Sequence, residues 1–105
     1  MGLNNLSVQL AIVGDGAGAL AAIREAVEIR RRLVQHNPTP RFACDLAVSL
    51  HNLSLRLGEA GDLAGALRAI REAVDILRRL AQVDPTRFAP ALEKSLEVLK
   101  GLEQN

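Results

Sequence analysis

What most limits the folds open to this chain is that its central stretch is written twice. Ala19-Leu20-Ala21-Ala22-Ile23-Arg24-Glu25-Ala26-Val27 returns as Ala66-Leu67-Arg68-Ala69-Ile70-Arg71-Glu72-Ala73-Val74, a shift of 47 residues. At the same shift Leu3, Asn5, Leu6, Ser7 and Leu10 meet Leu50, Asn52, Leu53, Ser54 and Leu57. Arg31-Arg32-Leu33 meets Arg78-Arg79-Leu80, and Pro38-Thr39 meets Pro85-Thr86. A partial third copy follows: Arg41-Phe42-Ala43, Leu46 and Ser49-Leu50 recur as Arg87-Phe88-Ala89, Leu92 and Ser95-Leu96. Repeats of this length bury one face on their neighbours, so the chain is expected to form a single stacked domain rather than wrap one large core.

The residues that fill the repeats are helix formers. Apolar residues make up 49% of the chain, yet there is no Trp or Tyr, and Phe42 and Phe88 are the only aromatics. A chain rich in Ala, Leu, Arg and Glu reads as all-α. The formal charge of +1 supplies no net field toward nucleic acid or an acidic membrane, so neither is expected as a partner. A single cysteine, Cys44, precludes a disulfide within the chain and suits a reducing compartment. No apolar run approaches the roughly 20 residues of a membrane span, and the first residues lack a signal peptide's pattern. The expected location is the cytoplasm.

Turn residues divide the chain into five helical segments. Leu3, Leu6 and Leu10 stand at helical spacing over about Leu3–Val13, and Gly14-Asp15-Gly16 ends that segment. A second helix is predicted over Ala17–Gln35, burying Ala19, Leu20, Ala22, Ile23, Ala26, Val27 and Leu33, with Arg24, Glu28, Arg31 and Arg32 in solvent. Asn37-Pro38-Thr39-Pro40 breaks it, and Thr39 before Pro40 is a strong start for a third helix, Pro40–Ala60. That helix carries Phe42, Leu46, Leu50, Leu53 and Leu57 on one stripe. Gly61-Asp62 repeats the earlier turn, the fourth helix covers Leu63–Val83, and Asp84-Pro85-Thr86 separates it from a fifth over Arg87–Glu103. Pro90 is tolerable there because it falls near the first turn. Short connections make neighbouring helices antiparallel.

With these residues in place the chain resembles the tetratricopeptide repeat family. Leu50, Leu53, Ser54, Leu57, Gly61, Ala66, Ile70 and Ala73 fit that family's spacing of large and small residues, and Leu3, Leu6, Ser7, Leu10, Gly14, Ala19, Ile23 and Ala26 fit it again. Small residues at Ser54, Ala66 and Ala73 let paired helices approach closely. The family's Trp and Tyr positions hold Leu here, and the period of 47 exceeds the usual value of about 34. Leu-Asn-Asn-Leu-Ser and Glu-Ala-Val stretches in so long a repeat look like the kinesin-light-chain-like subfamily. The resemblance implies a right-handed antiparallel helical-hairpin solenoid of about two and a half repeats: residues 1–38, 39–85 and a half repeat at 86–105.

It also implies a protein- or peptide-binding scaffold rather than an enzyme. In that family the first helix of each hairpin lines a concave groove, and an Asn at the position of Asn5 and Asn52 holds the backbone of a bound peptide. An amide offers both donors and an acceptor for that task. Asn4, Val48, His51, Leu55 and Glu59 flank them on the same surface, and Lys94 and Val98 continue it on the last helix. A second expectation is self-association: the first segment is short, and Leu92, Leu96, Leu99 and Leu102 on the last helix lack a following helix to cover them. Stacking or exchange of terminal helices between copies would bury such faces.

Chemistry is not expected. Leu10-Ala11-Ile12-Val13-Gly14-Asp15-Gly16-Ala17-Gly18 resembles a strand entering a dinucleotide loop, but its internal copy, Leu57-Gly58-Glu59-Ala60-Gly61-Asp62-Leu63-Ala64-Gly65, reads as an ordinary interhelical turn. His36 and His51 fall on different helices without further ligands at metal spacing, so no metal or cofactor is expected. Cys44 reads as a small buried filler. Arg30-Arg31-Arg32 and Arg78-Arg79 lie near helix C-termini beside Glu28 and Asp75, where dipole and i,i+4 pairing account for them.

Overall fold

A computed structural model describes residues 16–104. The segment expected at Leu3–Val13, and with it Gly14, Asp15, Asn4 and Asn5, lies outside the described residues. The described residues form four helices, against the five expected over the whole chain, and no strand: α1 (Gly16–His36), α2 (Pro40–Glu59), α3 (Leu63–Val83) and α4 (Pro85–Glu103). Each packs on the next in sequence, and α2 and α4 also touch across the face that α3 leaves open.

The turns form as their residues dictate. Thr39 caps α2, its hydroxyl accepting from the Phe42 N–H at 3.1 Å, with Pro40 in the first turn. Between α2 and α3 the Asp62 N–H donates to the Leu57 carbonyl at 2.9 Å and the Gly61 N–H to that of Gly58 at 3.1 Å, with φ of +87° at Gly61. That is a Schellman closure, which needs a residue free to take positive φ. Asp62 then caps α3 through the Gly65 N–H at 2.9 Å. A Cβ on Gly65 would collide with the Asp62 carboxylate, so the glycine leaves room for the cap. The stretch that resembles a nucleotide loop in its first copy is, in its second, a helix end and a helix start.

The core runs through the helices along the small–large pattern. Ile23 and Val27 of α1, Leu46, Ala47 and Leu50 of α2, and Ala69, Ile70, Ala73, Val74 and Leu77 of α3 form one buried cluster. Leu92, Leu96 and Leu99 of α4 pack against it from the C-terminal side. Ser54, Ala66 and Ala73 are buried, as close approach of α2 and α3 requires.

Three expectations change. Leu33, expected on the buried face of α1, is 42% exposed, and Val34 packs on the core instead. Six residues beyond Val27 the helix has turned about 120° away, so Arg30 and Val34 continue the inward stripe. The inward Arg30 donates to the Ser49 hydroxyl, which keeps a fully buried serine partnered. Arg31, expected in solvent, is half-buried and reaches across to Glu72 of α3 with bonds of 2.6 and 3.2 Å. Last, α4 begins at Pro85 rather than Arg87, because Asp84 both ends α3 and caps α4 through the Arg87 N–H at 3.3 Å. Pro90 therefore stands in the second turn, and the Thr86 carbonyl receives no intrahelical bond from it.

Candidate groove between the second and fourth helices

α2 and α4 are the first helices of successive repeats, and the C-terminal half of α3 lies behind them. Their spacing leaves a depression of about 420 Å³. Ala47, Val48 and His51 form one wall; Arg87, Pro90, Ala91, Lys94 and Ser95 form the other; Leu77 lies at the floor. The lining is apolar at depth, with the cationic Arg87 and Lys94 along one side.

His51 ties the two walls together. Its Nδ1 lies 2.9 Å from the Ser95 hydroxyl, which is 1% exposed. Burial, with repulsion from Lys94 second, pulls the imidazole below its ordinary pKa of 6.5. A neutral ring accepts or donates at this contact without carrying charge into the groove. Ser54, a turn further on, donates to the His51 carbonyl at 2.6 Å.

Of the residues read from the sequence, Val48, His51 and Lys94 line this depression. Asn52 is half-buried on the same face of α2, one turn beyond Val48, and its side chain makes no hydrogen bond to a described residue. Leu55 continues that face, half-buried. Glu59 ends it, exposed, 3.3 Å from Arg56. Val98 is half-buried and packs against the core cluster. Asn4 and Asn5 lie outside the described residues. Arg87, Pro90 and Ala91 also line the groove and were not among the residues expected there from the sequence. Counting three, four and seven residues toward the N-terminus from Lys94 on α4 would have found them.

Cys44 is a free thiol near this wall. Burial, then the Asp45 carboxylate, pushes its pKa up, with Arg87 opposing. Expected as a buried filler, Cys44 is only half-buried and stands outside the core cluster. His36 ends α1 and His51 stands mid-α2, so the two histidines share no site. No described helix is long and apolar enough to cross a membrane.

A hairpin stack with a groove between its first helices defines a helical-repeat scaffold. A family model described as Tetratricopeptide repeat matches residues 2–38 and 46–85, more than half of the chain. The chain belongs to the tetratricopeptide repeat family, whose members are in general non-catalytic scaffolds for protein–protein interaction. The kinesin-light-chain-like resemblance is consistent with that match. Neither curated proteins nor solved structures gave a significant match.

Proposed function

We propose that the groove between α2 and α4 holds an extended segment of a protein partner. The observation that carries this reading is the 420 Å³ depression, with an apolar floor and a polar rim, on the face formed by the first helices. Pockets of this size with few polar groups suit side chains entering from a chain laid across them. Asn52 supports it further, since its amide is uncommitted among the described residues and stands one turn from Val48 on the same face. Val48 supplies apolar contact, and Arg87 and Lys94 favour a carboxylate on the incoming segment. Rigid helices present these groups without ordering at the moment of binding. The right-handed course of the stack is part of this reading and is taken from the family. A cytoplasmic setting is part of it too, with the free Cys44 as its support.

The test is selection of a random peptide library displayed on phage against the protein, with Val48→Glu as counter-target. Enriched peptides that bind the wild type in solution and lose at least about tenfold with Val48→Glu support the reading. Enrichment of peptides indifferent to Val48→Glu and to Asn52→Ala would move the binding surface elsewhere.

A further inference from the structure

The hollow between α1 and α3 keeps two arginines that the described residues leave unpaired. It holds about 300 Å³ and shares no lining residue with the groove between α2 and α4. Its apolar surface comes from Val27 of α1, Leu50, Leu53 and Leu57 of α2, and Ala69 of α3. Arg24, Arg31 and Arg68 line it against Asp62 and Glu72, an excess of one arginine. Both carboxylates are engaged: Glu72 holds Arg31 at 2.6 Å, and Asp62 accepts from the Gly65 N–H at 2.9 Å. Arg24 and Arg68 are exposed, and their guanidinium groups make no hydrogen bond or ion pair among the described residues.

The repeat shows what this arginine position takes. Arg71 is the counterpart of Arg24 at the shift of 47 residues, and it lines a second hollow together with Val74 and Leu99. There Glu103 of α4 reaches Arg71 at 3.6 Å. At the shift of 46 residues that carries Arg41 to Arg87, Glu103 corresponds to Leu57, which is buried. The chain thus meets Arg71 with a carboxylate of its own and offers Arg24 a leucine at the matching position. Arg68 adds to the difference. Its counterpart is Ala21, so the packing of the repeat does not call for a cation there.

We propose that this hollow docks an acidic segment of a protein partner, with Arg24 and Arg68 receiving its carboxylates and an apolar side chain seated over Val27, Leu53 and Ala69. A carboxylate is what the matching arginine takes in the second copy, and what Arg31 takes from Glu72 within the hollow itself. Bonds from guanidinium to carboxylate are charge-assisted and directional, so two arginines fix the register of the segment. Exposed ion pairs alone are weak. Burial of the apolar side chain therefore supplies the larger share of the affinity, and the charges choose the partner.

The experiment selects a random peptide library displayed on phage against the Val48→Glu variant. Its groove between α2 and α4 is obstructed, so the outcome does not depend on the groove reading. Enriched peptides are synthesised, and fluorescence anisotropy gives their affinity for this protein and for the same protein carrying Arg24→Glu with Arg68→Glu. Circular dichroism checks each fold, and Arg24→Gln with Arg68→Gln serves if the reversed pair unfolds. The expected peptides carry Asp or Glu beside an apolar residue, and either double substitution weakens them at least about tenfold. Arg41→Glu with Arg78→Glu, the same charge change outside the hollow, is expected to cost less than about threefold, because separated surface charges are screened. A selection that enriches nothing, or only peptides without acidic residues, overturns the proposal. So does an acidic peptide that still binds after loss of Arg24 and Arg68, or one that the control weakens equally.

Discussion

His51 carries the clearest acid-sensitive contact in the molecule. Its pKa is lowered in the fold by burial and by Lys94. Between that lowered value and the ordinary 6.5 the unfolded chain holds more protons than the folded one, so stability falls as pH drops through this window and levels off below it. His51→Gln is expected to flatten the slope, read as the difference in urea midpoint between pH 7 and pH 5; an unchanged slope would assign it to other groups. At Gly61 the positive φ of 87° belongs to the Schellman closure. Gly61→Ala is expected to cost about 1 kcal/mol or more, because the alanine must strain or open the turn. A chemical denaturation curve decides it, and a neutral result would mean the turn relaxes without loss. Both residues stand out in sequence for different reasons. Gly61 is legible as the glycine before an N-capping aspartate, whereas the meeting of His51 with Ser95 spans 44 positions and has no local signature.

Among the helices, α2 and α3 pair most closely because small residues stand where their axes approach. Ala73 is fully buried in that contact. Ala73→Leu is expected to overpack it at a cost of about 1–3 kcal/mol, measured by denaturant unfolding. A neutral outcome would mean the core has slack that the buried cluster does not suggest. Pro90 acts at the same scale from the opposite direction. It denies α4 one intrahelical bond, so Pro90→Ala is expected to raise the thermal midpoint, provided the groove wall it forms repacks around alanine. A lower midpoint would show that the ring's packing against the groove outweighs the missing bond. Element limits are readable from caps and prolines, to within two residues at α4. Leu33 shows where that reading weakens: near a helix end, amphipathic residues such as Arg30 can take the inward stripe, and hydrophobicity alone does not reveal it.

Over the whole molecule, the repeat sets the first helices of successive hairpins side by side and leaves the groove between them. Asn52→Ala is expected to leave the thermal midpoint within about a degree or two, since the amide bonds no described residue, while weakening any groove-bound peptide. A large loss of stability would make Asn52 a structural residue. The sequence by itself determined the period, the helices, their caps and the small–large pattern that pairs them, because these depend on neighbours within a turn or on a copy elsewhere in the chain. Only the tertiary structure decided which side chains meet across helices. Arg31 with Glu72, Arg30 with Ser49 and His51 with Ser95 depend on the rotation of each helix about its axis. Packing of the whole stack sets that rotation, and no short stretch of sequence encodes it.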